Sequence, residues 1–181
     1  MIPSLFMYSM LAGAFLLMAG LPFLFVPARV EGPLRAFPRH RLTGILTMLV
    51  GGGWFIWKIL QLGPADFGDY KEWMALLFAV TVVAAIFHVP DFLAVRGVAI
   101  LALLTANVGL KSAYALYDIP GRLLLVTVLY VIIIAGIIYG IMPYLMRGTV
   151  RFISAEPSRL RAMGAGLCVT GMALLVTAFT Y

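Results

Sequence analysis

The chain has 181 residues, of which 64% are apolar and 11% are charged, and its mean hydropathy is +1.07. Soluble domains contain about 45–50% apolar and about 25% charged residues, so this composition excludes a water-soluble fold. The formal charge is +6, but the Lys and Arg residues flank apolar segments, where membrane topology accounts for them, and we expect no nucleic-acid partner.

Six apolar segments follow one another along the chain, each about long enough to cross a bilayer. Short stretches rich in Pro, Gly and charged residues separate them and end each helix at an interface. The sequence therefore predicts an all-α, polytopic transmembrane helical bundle of about six helices in three hairpins, forming one integral membrane domain over residues 1–181. The predicted spans are residues 4–26, 42–62, 73–89, 97–116, 123–145 and 162–181.

Basic residues are distributed unevenly among the connectors. The first, third and fifth connectors carry nine of the 13 basic residues. The positive-inside rule then places these three connectors in the cytoplasm and both termini outside. Short connectors with arginine-weighted loops are typical of a bacterial inner membrane, so we expect a multi-pass protein there. The nine residues are Arg29, Arg35, Arg39, Arg41, Arg96, Arg147, Arg151, Arg159 and Arg161.

The first and last hairpins share a spacing pattern. The pattern R-x-x-G-x6-G opens the second and the sixth segments, and a proline, Pro22 or Pro143, is expected to end the helix before each connector. This favours an internal repeat of residues 4–62 and 123–181. Coincidence is the open alternative, because boundary arginines and glycines are common in membrane helices.

One polar face is predicted on the fourth segment. Four polar residues recur at i, i+4, i+7 and i+11, which places them on a single helical face. An amide and a lysine inside a span cost free energy unless they meet partners or water, so they indicate a site. The alternative is structural: the lysine extends to the interface and the amide joins two helices by a hydrogen bond. The residues are Asn107, Lys111, Tyr114 and Asp118.

Lys58 lies on a comparable face of the second segment. If this face met that of Lys111, the two would line an outward-open cavity suited to an anionic or polar solute. The alternative is an interfacial belt, in which tryptophan rings and an extended lysine anchor a helix at the membrane surface. The tryptophans concerned are Trp54, Trp57 and Trp73.

Two histidines, His40 and His88, lie near the ends of adjacent segments at comparable depth. Such a pair is the arrangement that ligates a haem or chlorin. The alternative is interfacial placement, since His40 lies in the basic stretch PRHR. We expect no cofactor, with haem or chlorin as the alternative, and no metal site. Cys168 is the only cysteine, which excludes an intramolecular disulfide and a thiolate metal site.

Small residues on the fifth and sixth segments predict close helix approach, with the partner helix either in this chain or in another. They are Gly136, Gly140, Gly164, Gly166 and Gly171.

No catalytic motif stands out: the patterns HExxH, GxSxG and the P-loop are absent, and all seven acidic residues lie outside the predicted mid-membrane regions. We therefore expect no enzyme, but a non-catalytic membrane subunit that packs against other membrane proteins and stabilises or positions them. The expected partners are the lipid bilayer and either other membrane proteins or copies of this chain. The first alternative is a small transporter or channel for an anionic or polar solute. The second is a haem- or pigment-binding redox protein.

Overall fold

The computed structural model describes residues 4–181. Within this range the chain forms eight α-helices joined by turns and short 3-10 segments, with no β-strand. Six of these helices are long and apolar enough to cross a membrane, which confirms an all-helical, multi-pass architecture. The helices are α1 (Leu5–Phe25), α2 (Pro27–Ala36), α3 (Arg41–Leu60), α4 (Lys71–His88), α5 (Leu93–Ala113), α6 (Arg122–Ile141), α7 (Pro143–Ile153) and α8 (Pro157–Ala178).

The first and fifth connectors contain helices of their own, α2 and α7, with 10 and 11 residues. Both are too short to cross a bilayer. Pro27, Pro143 and Pro157 each occupy the first helical position of their helix. Proline is well tolerated there, because its missing N–H has no acceptor within the helix.

Pro22 does not end the first helix, as the sequence-based reading assumed, but lies inside α1, which continues to Phe25. Membrane helices tolerate an internal proline because neighbouring groups satisfy the freed backbone. The N–H of Val26 reaches back to the carbonyl of Pro22, at 3.0 Å, and closes the last turn. At the second hairpin of the proposed repeat, α6 ends at Ile141, two residues before Pro143.

The described chain divides into two compact units. The first consists of residues 4–35, 105–134 and 147–181. Its buried core joins α1, the last part of α5, the first part of α6, and α8. The core residues are Leu5, Ala106, Ala113, Leu125, Leu129 and Leu174.

Glycines allow α1 and α8 to touch along an antiparallel seam in the first unit. Gly13 lies opposite Gly171, and Gly20 lies opposite Gly164. A methyl group added at Gly171 would lie 2.7 Å from the carbonyl oxygen of Gly13, so the two backbones are in direct contact. Small residues permit this approach, and van der Waals packing then stabilises the pair.

The beginning of α1 and the end of α8 lie together. The rings of Phe6 and Phe179 pack edge to face with their centroids 6.0 Å apart. The hydroxyl of Ser9 is 3.3 Å from that of Tyr181. These contacts place the two ends of the chain at the same end of the α1–α8 pair.

The second unit consists of residues 36–104 and 135–146. Here α3 packs against α4, where the rings of Phe55 and Phe78 lie 4.9 Å apart. The first part of α5 runs parallel to α3, with Gly97 against the side chain of Thr47. This unit therefore uses glycine for close helix contact as the first one does.

Candidate functional site

The last turns of α5 carry the two polar side chains that the sequence indicated inside a span. Ala106 and Ala113 are buried on one side of this helix, and Gly109 lies against Tyr8 and Leu129 in the first unit. Asn107 is not part of that contact and is exposed, as is Lys111 one turn later along the helix. The backbone therefore presents an amide and an ammonium outward from the core of this unit.

Neither Asn107 nor Lys111 has a hydrogen-bond or ion-pair partner among residues 4–181. Asn107 precedes Ala113, the last residue of α5, by six positions, which is roughly 9 Å along the axis. In a spanning helix this depth lies within the hydrocarbon, where an unpaired amide is costly. Lys111 lies closer to the helix end, and its long side chain can extend toward the interface.

The predicted helical face is shorter than the sequence spacing indicated, because α5 ends at Ala113 and not at residue 116. Tyr114 and Asp118 lie in the following turn, where Ala115 has a φ of 62°, outside the helical region. The inference that all four polar residues share one helical face is therefore wrong for Tyr114 and Asp118. Both are exposed, and Asp118 forms no ion pair within the described residues.

Arg122 holds the end of α5, a role that the sequence reading missed. Its Nη1 donates a hydrogen bond to the carbonyl oxygen of Ala113 at 2.9 Å. Its guanidinium also lies 4.8 Å from the ring centroid of Tyr117. A cation at a helix C-terminus satisfies a free carbonyl and complements the helix dipole. This contact fixes the turn that follows Lys111.

Lys58 belongs to the second unit, whereas Asn107 and Lys111 belong to the first. The Lys58 Nζ lies 5.2 Å from the ring centroid of Trp57, close enough for a cation–π contact. Trp57 is 54% exposed. These neighbours are typical of the interfacial belt that the sequence offered as the alternative to a solute cavity.

The two histidines have different local roles. His40 is the N-cap residue of α3, and its Nδ1 accepts a hydrogen bond from the backbone N–H of Thr43 at 3.2 Å. The Thr43 hydroxyl also lies 2.8 Å from the same nitrogen. The Nδ1 of His88 lies 3.2 Å from the carbonyl oxygen of Ala84. Residues 4–181 contain no group of three or more His, Cys, Asp or Glu placed to hold a metal ion.

Four of the five predicted packing glycines lie at helix contacts within this chain. Gly136 and Gly140 of α6 lie beside Leu103 and Ala99 of α5. Gly164 and Gly171 form the seam with α1 described above. Gly166 is different, because a methyl group added there would have no atom of the described residues within 4 Å, so it takes no part in helix packing within residues 4–181.

A polar link between the connector helices was also missed. The Arg35 Nε donates to the Ser154 hydroxyl, and its Nη2 donates to the Ser154 carbonyl oxygen, both at 2.9 Å. Arg35 also pairs with Glu31 at 2.9 Å. Ser154 is buried and directly follows α7, so Arg35 satisfies a carbonyl at the end of that helix. The sequence reading treated this arginine only as a marker of topology.

Comparison with known proteins finds no match among family models, curated proteins or solved structures. The unpaired groups on α5 and the arginines of the connectors are therefore the features from which function can be inferred.

Proposed function

We propose that this protein is a non-catalytic integral membrane subunit that packs against another membrane protein and stabilises or positions it. The observation that carries the proposal is that Asn107 and Lys111 are exposed on a spanning helix and unpaired within residues 4–181. Polar groups in hydrocarbon require partners, and a helix of another protein can supply them. The exposed polar surface of α5 is the face that docks.

The amide of Asn107 is suited to this contact because it both donates and accepts hydrogen bonds. Such bonds between membrane helices contribute about 0.6–2 kcal/mol. Loss of the amide should therefore weaken association by about 3- to 30-fold. The Lys111 ammonium adds selectivity for a partner that presents a carboxylate or another acceptor near the same depth.

The proposal is tested by purification from the native membrane in mild detergent, with mass spectrometry of what co-migrates and a visible spectrum. Asn107→Leu should lose a partner that the unaltered protein retains in stoichiometric amount. Thr127→Val is the matched control, since exposed Thr127 already donates to the carbonyl of Leu123 at 2.8 Å and needs no outside partner. A colourless homo-oligomer without another protein would refute the subunit proposal.

The remaining functions make different predictions in the same preparation. A small transporter or channel would lose anion flux in proteoliposomes on Lys111→Ala, with its folding intact. A redox protein would show visible absorbance that disappears on His88→Ala.

We further propose that the protein lies in a bacterial inner membrane with α2 and α7 cytoplasmic and both termini periplasmic. The nine arginines of the first, third and fifth connectors support this orientation. The Phe6–Phe179 contact supports a common side of the membrane for the start of α1 and the end of α8.

Single cysteines in a Cys168→Ser background test this orientation. Gly148→Cys and Gly63→Cys are suitable because neither glycine has an atom within 4 Å of an added methyl group. An impermeant maleimide should label Gly63→Cys in intact spheroplasts and Gly148→Cys only after the membrane is opened. The reverse pattern would refute the orientation.

A further inference from the structure

The connectors of the first unit carry more arginines than acidic residues, so part of their positive charge is not neutralised within the unit. Their two carboxylates are already engaged, Glu31 with Arg35 at 2.9 Å and Glu156 with Arg159 at 3.0 Å. Four further arginines are exposed, and their side chains have no ion pair or hydrogen-bond partner within residues 4–181. These are Arg29, Arg147, Arg151 and Arg161.

Two contacts hold the arginine-bearing segments together as one surface. Arg35 joins the end of α2 to Ser154 at the end of α7, as described above. Arg159, in the first turn of α8, donates to the carbonyl oxygen of Phe152 at 3.2 Å and lies 4.3 Å from its ring centroid. These two contacts therefore join the end of α2, the end of α7 and the start of α8, the helices that carry the free arginines.

The helix α7 has the form of an interfacial helix. Arg147 and Arg151 are one turn apart, so they share a face with their Cβ atoms about 5–6 Å apart. Val150 is buried against the unit, and Phe152 is 64% exposed. A short helix with cations on one side and an exposed aromatic ring on another is suited to the boundary between headgroups and acyl chains.

The start of α8 contributes one further free cation. Its N-cap residue, Glu156, pairs with Arg159 of the first turn at 3.0 Å, so the negative charge that favours a helix N-terminus is already present. Arg161, two residues later, is exposed and has no ion pair within residues 4–181, so its charge is available to an outside anion.

We propose that α7, together with the ends of α2 and α8, binds the phosphodiester headgroups of anionic phospholipids. Arg147 and Arg151 contact the phosphates, and Arg161 adds charge at the start of α8. Guanidinium groups match phosphate geometry and bind it through paired hydrogen bonds. The lipid is favoured over a soluble anion because the exposed Phe152 ring provides a contact for acyl chains beside the same arginines. This site is independent of the docking face on α5.

The test is a titration of the purified full-length protein with phosphatidylglycerol, followed by native mass spectrometry of bound lipid. Phosphatidylcholine is the reference lipid, and inorganic phosphate is the soluble probe. The double variant Arg147→Gln/Arg151→Gln should reduce phosphatidylglycerol affinity about 30-fold, from roughly fivefold for each arginine at an anionic surface. Arg147→Lys/Arg151→Lys should retain only part of the affinity, since the charge is kept but the paired guanidinium hydrogen bonds are lost.

The matched control is Lys58→Gln/Lys71→Gln, which removes the same charge from the second unit and should leave phosphatidylglycerol binding unchanged. Helical circular dichroism of each variant checks folding, which the unpaired Arg147 and Arg151 should not affect. Equal binding of the two lipids by the unaltered protein would overturn the proposal. Full retention of phosphatidylglycerol affinity in the glutamine double variant would also overturn the proposal. So would a thermal unfolding temperature that inorganic phosphate raises as much as phosphatidylglycerol does, because the site would then bind a soluble anion equally well.

Discussion

The variant Gly171→Ala tests how much of the free energy of unfolding depends on the contact between α1 and α8. In Gly171→Ala the new carbon would lie 2.7 Å from the carbonyl oxygen of Gly13 and 2.9 Å from the backbone nitrogen of Leu17. Both are backbone atoms, so no side-chain rotation can relieve the clash. Ordinary contacts begin at 3.4 Å, so the helices must separate locally by about 0.7 Å, the difference between 3.4 and 2.7 Å.

The expected cost follows from two opposing effects. Overpacking of a close contact typically costs about 1–3 kcal/mol. Alanine recovers up to about 1 kcal/mol of helix propensity relative to glycine. With the full offset, we expect Gly171→Ala to lower the free energy of unfolding by up to about 2 kcal/mol. The assay is reversible unfolding in mixed micelles, followed by circular dichroism at 222 nm, a general helix signal.

Gly166→Ala provides the control on the same helix. It makes the same chemical change, but no atom lies within 4 Å of the added carbon. It should leave the free energy of unfolding unchanged or raise it by up to about 1 kcal/mol, the gain in helix propensity alone. If the two variants have the same stability, the close α1–α8 contact does not stabilise the protein and the reasoning fails.

Two further predictions concern internal hydrogen bonds. Arg35→Ala should lower the free energy of unfolding by about 1 kcal/mol, which is the value for a charged hydrogen bond reduced because Arg35 is partly exposed. Arg29 is exposed and its side chain is unpaired among the described residues, so Arg29→Ala should have no measurable effect in the same micellar assay. Tyr8→Phe should lower the free energy of unfolding by about 0.5–1.5 kcal/mol, because the Tyr8 hydroxyl donates a hydrogen bond to the carbonyl oxygen of Thr105 at 2.6 Å. An unchanged unfolding curve would show that this hydrogen bond does not stabilise the fold.

The number of spans and their helical structure could be predicted from sequence, because a long apolar segment in lipid must form its backbone hydrogen bonds internally, as a helix does. The end of α5 could not. Ala115 has a high helix propensity, yet it adopts a φ of 62° in the turn before Pro120. Tyr114 and Asp118 happen to continue the helical spacing through that turn, so periodicity alone extended the polar face too far.

The packing glycines also show what sequence alone does not predict, namely which small residues contact another helix. Gly164 and Gly171 are seven residues apart, which returns to nearly the same face of a helix, whereas Gly166 is two residues from Gly164 and lies about 200° away. The sequence shows that each residue is small. Only the position of α1 determines which of them meets a neighbour, and Gly13 and Gly20 on α1 follow the same seven-residue spacing.

Polar side chains near the membrane fall into two classes with different expected phenotypes. Arg35 and Arg122 complete hydrogen bonds inside the first unit, so their removal should reduce stability, and any change in binding should follow from the loss of these contacts. Asn107 and Arg151 complete none within the described residues, so their removal should change binding without reducing stability. Measurement of unfolding and of binding for the same four alanine variants therefore separates folding from function. A drop in stability for Asn107→Ala or Arg151→Ala would show that these side chains serve the fold, and both binding proposals would then lose their basis.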